Sequence, residues 1–268
     1  MIKEHYKKEL ILSTPVGINT ASSKKDVIRV QSWIVLHEMA RPGSSSIIGI
    51  DGDFGSATEL AVKHFQKKNN LRGTGVVGPQ TFELLCETLL NAFSYQPSNL
   101  NLRQTILAVA NRHLESHPFE LTVKQQNNTG PWVRSYMDGH EGSNWLWCMG
   151  FVQTIFDQAF SIHGRSFKEI VPLTYSCDTV GMHALNKRKL VRFGQVRSAP
   201  NKIKPGDIFL IQKSTYDWIH TGIITKVGTD TFETIEGNTN REGSSNGDRV
   251  YRRIRNFRMG RIDVYSWE

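Results

Sequence analysis

The spacing of apolar residues divides the chain into a helical first part and a strand-rich last part. In the first part, apolar residues recur at helical spacing in segments that include Asp26, Ser56, Thr81 and Leu102. In the last part, residues 206–266 hold five short runs rich in β-branched and aromatic residues, separated by turn residues. Helices followed by strands predict an α+β fold with an antiparallel sheet.

Turn-rich stretches between these segments predict four parts. Residues 1–25 show no periodicity and are interpreted as an irregular lead-in. Residues 26–90 hold three short helices, with Asp26 as the N-cap of the first, and are predicted to form a compact N-terminal module. Residues 91–101 are predicted to be a linker, and residues 102–268 a second domain.

Other stretches carry turn residues or no clear pattern. Residues 42–46 are predicted to be a Gly/Ser loop, residues 127–132 a turn, and residues 133–137 a helical turn. Residues 162–205 are poorly patterned, so no element is predicted there.

Cys148 stands where the polar, glycine-rich stretch 138–144 meets an apolar segment of helical spacing. It is therefore predicted to lie near a helix N-terminus. Unpaired N–H groups and the positive end of the helix dipole lower the pKa of a thiol there, which favours the reactive thiolate. The same position also fits a small buried hydrophobe, because free cysteine is among the most buried residue types.

A histidine and a carboxylate follow Cys148 in the order that a cysteine nucleophile needs. Such a nucleophile requires a base, and the base requires an acceptor that fixes its tautomer. His220 lies in one predicted strand and Glu236 ends the next, so antiparallel pairing brings them together if the register allows. Asn238 would share the face of Glu236 if the strand continued. A lone strand histidine is more often structural, and only this ordered set favours catalysis.

Three tryptophans lie near these residues in sequence: Trp145, Trp147 and Trp218. They are candidates for the lining of a substrate groove. Each is equally compatible with a place in the apolar core.

The charge of the chain implies attraction to something anionic. With 33 Lys and Arg against 25 Asp and Glu, the net charge is +8, which suits nucleic acid, anionic lipid or a bacterial cell wall. Six arginines near the C-terminus are interpreted as an exposed face of terminal strands rather than a binding patch, and no nucleic-acid motif accompanies them. They are Arg249, Arg252, Arg253, Arg255, Arg258 and Arg261.

The cysteines and the apolar runs narrow the class further. Cys86, Cys148 and Cys177 are too few, and odd in number, for a disulfide framework, and they lack zinc-site spacing, so reduced thiols and no metal or cofactor are expected. There is no membrane-length apolar segment and no recognisable export signal. The expectation is a soluble monomer made in a cytoplasm, with no membrane partner.

Residues 51–55 (Asp-Gly-Asp-Phe-Gly), Phe65-Gln66 and residues 75–79 (Gly-Val-Val-Gly-Pro) resemble the three-helix peptidoglycan-binding domain of many cell-wall hydrolases. The resemblance covers residues 26–90 and implies peptidoglycan as a partner. The Asp-Gly-Asp run is not a calcium loop, because positions 5 and 12 of such a loop would be glycine and Val62 instead of oxygen ligands.

Residues 102–266 resemble the CHAP amidohydrolase/peptidase family, relatives of NlpC-type cell-wall peptidases with a papain-like core. The residues that carry this resemblance are Trp147-Cys148 at a helix start, Pro205-Gly206-Asp207-Ile208 before a strand, His220-Thr221-Gly222-Ile223 within a strand and Glu236-Gly237-Asn238-Thr239 after the next.

This resemblance implies Cys148 as nucleophile, His220 as general base and then acid, and Glu236 as the orienting residue, with Asn238 assisting or substituting. Many members carry Gln before the cysteine, where this chain has Trp147, so the source of side-chain oxyanion stabilisation is left open. Backbone N–H groups at the helix start are candidates. Some relatives carry a calcium site, for which Asp138 and Glu141 are the nearest carboxylates.

Together these observations favour a peptidoglycan hydrolase that cleaves an amide bond of the stem peptide or cross-bridge. Two alternatives stay open: a non-catalytic wall- or nucleic-acid-binding protein on a degenerate hydrolase fold, and a cysteine amidase acting on a small peptide conjugate. Without an export signal, the hydrolase is expected to reach the wall through phage-type lysis or a dedicated injection machine. In the second case, a neighbouring immunity protein is expected to block the groove at Cys148.

Overall fold

A computed structural model describes residues 1–39 and 48–268, so the predicted loop at residues 42–46 lies outside the described residues. Helices make up most of the described first part, and an antiparallel sheet makes up most of the last part. The predicted α+β fold is therefore confirmed. No helix in these ranges is long and apolar enough to cross a membrane.

The first part contains the three helices predicted for the N-terminal module and the helix predicted at Leu102. Ser23, rather than Asp26, precedes the first of the three, and its Oγ accepts the Asp26 N–H at 3.1 Å. The predicted cap at Asp26 is thus wrong, because that residue lies within the helix and pairs with Arg29 at 2.7 Å. The helices of the first part are α1 (Tyr6–Glu9), α2 (Lys24–Met39), α3 (Ser56–Lys68), α4 (Pro79–Phe93) and α5 (Leu102–Glu115).

Two buried glutamines shape the loops of the N-terminal module. Gln31 accepts the N–H groups of Asp51 and Gly52 and donates to the Asp53 carbonyl. Gln66 accepts the Gly75 N–H at 2.9 Å and donates to the Val76 carbonyl at 2.8 Å. Each side chain satisfies backbone groups that the loops leave unpaired, so the motif residues hold one another in place.

The lead-in is packed onto both parts of the molecule. It contains α1, which is too short for periodicity to indicate, and Val16 exchanges two backbone hydrogen bonds with Val77 of the module. The backbone N–H groups of Ile2 and Lys3 donate to the carboxylate of Asp157 in the second part. Residues 1–25 therefore form a strap across the two parts.

The predicted linker is partly helical. Helix α4 continues to Phe93, three residues into the range 91–101. The Gln158 amide of the second part donates to the carbonyls of Ala92 and Tyr95, at 3.0 and 2.9 Å. The buried apolar side chains of both parts form one continuous cluster, so this segment joins two packed layers instead of separating them.

The second part adds helices and a hairpin that the sequence pattern did not predict. Strand β2 occupies part of the predicted turn at residues 127–132, and two α-helices, two short 3-10 helices (Phe167–Glu169 and Pro200–Lys202) and a strand lie in the unpatterned range 162–205. The elements that precede β4 in the chain are β1 (Leu121–Val123), β2 (Gln126–Thr129), α6 (Pro131–Tyr136), α7 (Cys148–Ile162), α8 (Cys177–Asn186), β3 (Leu190–Val191) and α9 (Phe193–Ser198).

The main sheet is antiparallel, with the strand order β3-β8-β4-β5-β6-β7. All five predicted strands are present, and β3 adds an edge strand. Helix α7 packs against β5 and β6, the two strands that carry the predicted histidine and glutamate. The remaining strands are β4 (Ile208–Ser214), β5 (Asp217–Val227), β6 (Thr231–Thr239), β7 (Arg249–Asn256) and β8 (Ile262–Tyr265).

Candidate active site

Cys148 is the first residue of α7, at the floor of a groove. Every residue from Cys148 to Phe160 is buried, which anchors the start of the helix in the core. The Cys148 side chain nevertheless lines a cavity of about 700 Å³ that opens to the surface. The thiol is therefore held rigidly by an apolar helix while it faces a space large enough for a peptide.

His220 and Glu236 form a buried pair. His220 Nε2 lies 2.8 Å from Glu236 Oε2, and both side chains are fully buried. Strands β5 and β6 pair antiparallel, with Ile223 opposite Ile235, so His220 and Glu236 lie on neighbouring strands just beyond this pair. Gly222 makes room for the contact, because a Cβ there would lie 2.8 Å from Glu236 Cγ.

Two further side chains hold the Glu236 carboxylate. Arg255 of β7 donates through Nε to Oε1 at 2.8 Å and through Nη2 to Oε2, and Thr234 donates its hydroxyl to Oε1. Sequence reasoning placed Arg255 on an exposed face with its neighbours, and that interpretation is wrong. Arginines occur along β7 at both odd and even positions and therefore on both faces of the strand. The alternation of side chains along a strand does not identify which of these arginines points inward.

Glu236 and His220 have displaced pKa values because of their ionisable neighbours. Burial opposes ionisation of Glu236, but hydrogen bonds from Arg255 and His220 outweigh it and lower the pKa to about 2. Burial also opposes the charged form of His220, yet Cys148 and Glu236 raise its pKa to about 9. Within the described residues, His220 Nδ1 has no nitrogen or oxygen partner. That nitrogen is therefore available to the Cys148 thiol.

Cys148 has a second sulfur beside it. Cys177 begins α8, and its Sγ lies 3.9 Å from that of Cys148. A hydrogen bond with Cys177, and then the interaction with His220, hold the pKa of Cys148 well below its usual range despite burial. From the sequence, Cys177 is predicted only to be an unpaired cysteine. Its position directly after Ser176, the N-cap of α8, is a signal for a helix start, and Cys148 also begins a helix.

Asn238 does not join this cluster in the structure. The register of β6 shifts between Glu236 and Thr239, and Asn238 adopts a left-handed φ of 54°. Its buried amide has no hydrogen-bond partner in the part of the chain that the structure describes. The expectation that Asn238 shares the face of Glu236 required a regular strand, and this irregularity removes that condition.

The three tryptophans have different positions. Trp145 lines the cavity and stacks on His140, and Trp218 also lines it. Trp147 is fully buried instead, stacks on Tyr136 and donates its indole N–H to Glu120 at 2.9 Å. Its predicted place in the groove lining is therefore wrong, because its ring fills the core next to Cys148.

The two carboxylates considered for calcium already have partners. Asp138 accepts from the buried ammonium of Lys3 at 2.7 Å and from the Tyr175 hydroxyl. Glu141 pairs with Arg134 at 2.8 Å. Among residues 1–39 and 48–268, no group of three or more His, Cys, Asp or Glu side chains is placed to hold a metal ion. Asp138 and Glu141 instead form ion pairs with the strap and with α6.

Comparison with known proteins bears mainly on the first part of the chain. Residues 37–85 match the family model described as "Putative peptidoglycan binding domain". A 41-residue stretch, 15% of the chain, is 46% identical to the zinc D-Ala-D-Ala carboxypeptidase of Streptomyces albus G. That stretch spans only 16% of the carboxypeptidase. No solved structure matches the chain. The chain thus contains a peptidoglycan-binding domain, which indicates a function at the cell wall.

Proposed function

We propose that this protein is a peptidoglycan hydrolase in which Cys148 attacks an amide bond of the stem peptide or cross-bridge. The observation that carries the proposal is a cysteine that lines a groove and interacts with the buried His220–Glu236 pair. The peptidoglycan-binding domain at residues 37–85 supports the wall as the substrate.

The displaced pKa values fit the first step of such a reaction. The low pKa of Cys148 and the raised pKa of His220, about 9, favour a thiolate beside an imidazolium at neutral pH. The proton of the Cys148 thiol then resides on His220 Nδ1. The thiolate attacks the carbonyl carbon of the amide, and His220 returns that proton to the leaving amine as the C–N bond breaks.

The oxyanion needs donors at the start of α7. The indole N–H of Trp147 is bound to Glu120, so this side chain is not a donor to the substrate. Backbone N–H groups in the first turn of α7 have no partner within the helix and sit at its positive end. They are the proposed oxyanion donors, and one such donor contributes about 3–4 kcal/mol to the transition state.

Hydrolysis of the thioester completes the cycle. Neutral His220 takes a proton from water, the resulting hydroxide attacks the thioester carbonyl, and the Cys148 thiolate leaves. Glu236 fixes the ring through its 2.8 Å contact with Nε2, so Nδ1 faces the nucleophile in both half-reactions. Arg255 keeps Glu236 ionised, which preserves this orientation.

The groove offers both apolar and charged walls for a peptide. Trp145, Tyr175 and Trp218 supply aromatic surface, and Asp178 and Lys213 lie among the lining residues. Stem peptides carry carboxylates and amines, so a groove with one acidic and one basic side chain suits them. Since the module shares a core with the second part, wall binding would present the groove at a fixed distance from the bound strand.

Purified wall sacculi test the proposal. Cys148→Ala should lower the rates of turbidity loss and of fragment release by several orders of magnitude, while the protein still sediments with the sacculi. Cys86→Ala is the matched control, because Cys86 is buried in α4, where burial raises the pKa of its thiol to about 12.

Mass analysis of the released fragments identifies the amide that is cut. Full lysis by Cys148→Ala would reject the proposal in favour of another catalytic group. Wall binding without any cleavage by the unmodified protein would favour the non-catalytic alternative.

A further inference from the structure

The N-termini of two helices converge on the proposed nucleophile. Cys148 begins α7 and Cys177 begins α8, and their sulfur atoms lie 3.9 Å apart, both buried and not joined by a disulfide. A separation of 3.9 Å suits a weak S–H hydrogen bond between a thiol and a thiolate. The only histidine that interacts with this pair within the described residues, His220, acts on Cys148.

The start of α8 is fixed by the strand that carries His220. Asp178 accepts the backbone N–H of Trp218 at 2.6 Å. One turn later, Gly181 lies against the Trp218 ring, where a Cβ would come within 2.5 Å of Cε3. Since Trp218 and His220 both belong to β5, the same strand places the base and the helix that bears Cys177. The second thiol is therefore built into the site.

The surroundings of the two sulfurs decide which one keeps its proton. Cys148 interacts with the imidazole of His220, which lowers the pKa of its thiol. The hydrogen bond with Cys148, burial and the charge of Cys148, with a smaller contribution from Asp178, raise the pKa of Cys177 well above its usual range. The titratable and charged groups around the pair are His220 from β5, Asp178 from α8, Lys213 from β4 and Tyr175 from the loop before α8.

We propose that Cys177 is a positioning residue whose thiol donates an S–H hydrogen bond to the Cys148 thiolate. The proposal rests on the proposed role of Cys148 as nucleophile. Cys177 keeps its proton throughout, while the Cys148 proton moves to His220. The bond fixes the thiolate at the groove floor and raises the fraction of Cys148 that is ionised at neutral pH.

This bond has two opposing effects on reactivity. A thiolate that accepts a hydrogen bond is more abundant but less nucleophilic, with nucleophilicity following the pKa by a Brønsted coefficient of about 0.4–0.5. The rate of Cys148 alkylation rises with pH, and the inflection of that curve marks the pH at which half of the thiol is ionised. If loss of the donor raises this inflection by about one pH unit, the thiolate is about tenfold scarcer below it. Alkylation should then be about threefold slower below both inflections and about threefold faster above both.

The pH dependence of Cys148 alkylation by iodoacetamide tests the proposal on the full chain, freed of reductant just before the measurement. Mass analysis of the modified peptide separates Cys148 from Cys86 and Cys177. Cys177→Ala should raise the inflection and make the rate curve cross that of the unmodified protein. Cys177→Ser should keep the inflection close to that of the unmodified protein, because its hydroxyl also donates. Cys86→Ala should leave the curve unchanged.

Several results would overturn the proposal: an unchanged inflection in Cys177→Ala, an equal shift in the Ser and Ala variants, or preferential alkylation of Cys177. Cys177→Val fills the same space without a donor and gives the same measurement should Cys177→Ala fail to fold. Alkylation needs no wall substrate. A low inflection at Cys148 without wall cleavage would therefore reject the proposed function and leave the role of Cys177 standing.

Discussion

The N-terminal module and the candidate active site both depend on buried polar side chains, but these differ in charge. In the module, Gln31 and Gln66 are neutral amides that satisfy backbone groups of neighbouring loops. In the candidate active site, His220, Glu236 and Arg255 are ionisable groups packed against one another.

Buried neutral hydrogen bonds cost little when both partners are satisfied. Buried charges carry a large desolvation cost, and displaced pKa values cluster at functional sites. Gln31 and Gln66 therefore fix the shape of the module's loops, whereas His220, Glu236 and Arg255 maintain displaced pKa values in the candidate active site.

A third group of polar contacts joins the two regions. Glu9 of the strap accepts two hydrogen bonds from Arg134 of α6, at 2.9 and 2.8 Å, and lies 3.7 Å from Arg29 of α2. With the shared apolar cluster, this contact makes the module and the active-site region one packed body. The three groups of contacts should differ in their contribution to the free energy of unfolding and to the chemistry of the candidate site.

Replacing Arg255 should have the largest effect. Arg255→Met leaves the Glu236 carboxylate buried with less compensation, so the free energy of unfolding should fall by about 3–5 kcal/mol. Arg252→Met on the exposed side of the same strand is the matched control, with an expected change of about 0.5 kcal/mol or less. Chemical denaturation measures both. Equal effects would mean that the Glu236 pair is no more important than surface contacts.

Glu9→Gln should destabilise the whole body by about 3 kcal/mol, because it leaves two arginines without their shared carboxylate. Burial opposes ionisation of Glu9, but the arginines and His5 lower its pKa to about 2. The stability that Glu9 contributes is therefore present above its ordinary value of 4.5 and is lost as the pH falls toward about 2.

Thermal unfolding followed by near-UV circular dichroism checks this prediction. The exposed Glu4→Gln change, in the same segment, is the control. Two separate transitions in the unmodified protein would contradict the single packed body.

Gln66→Ala should have a smaller effect, confined to the module. It leaves the Gly75 N–H and the Val76 carbonyl without their partner, at a cost of about 1–3 kcal/mol. Gln80→Ala, an exposed position on α4, is the control. The rate of Cys148 alkylation should stay the same in both variants. A change in that rate with Gln66→Ala would show that the neutral network supports the active site as well.

The smallest expected effect is a gradual one with pH. Because the folded pKa of His220 is raised from 6.5 to about 9, its proton is present at neutral pH and is lost as the pH rises through about 9. In the proposed mechanism the acid that protonates the leaving amine is then lost, so kcat/KM should fall about tenfold per pH unit above that value. A pH profile of fragment release measures this. A decline that begins near pH 6.5 would mean that His220 is not held in its charged form.

The stability that His220 contributes follows the same direction. It is fully present below pH 6.5 and is lost as the pH rises through about 9. Measuring stability across this range in the unmodified protein and in Glu236→Gln separates the contribution of the ion pair from general alkaline destabilisation.

Much of the fold follows from local patterns that act within a few residues. Helical spacing identified α2 to α5 and α7, and runs of β-branched residues identified β4 to β8. The short helices α1 and α9 and the two-residue strand β3 escaped, because each contains too few residues to show a periodicity. Helix α8 is longer, but its mixed composition hid it within residues 162–205.

The sequence by itself determined the order of Cys148, His220 and Glu236 and the loop motifs of the module, because these depend on residue type and short spacing. Only the tertiary structure decided which side chains meet them. Arg255 reaches Glu236 through strand pairing, Cys177 reaches Cys148 through the docking of α8 on Trp218, and Trp147 turns into the core. These contacts join residues far apart in the chain, and the direction of each side chain depends on register and packing, which a single sequence does not specify.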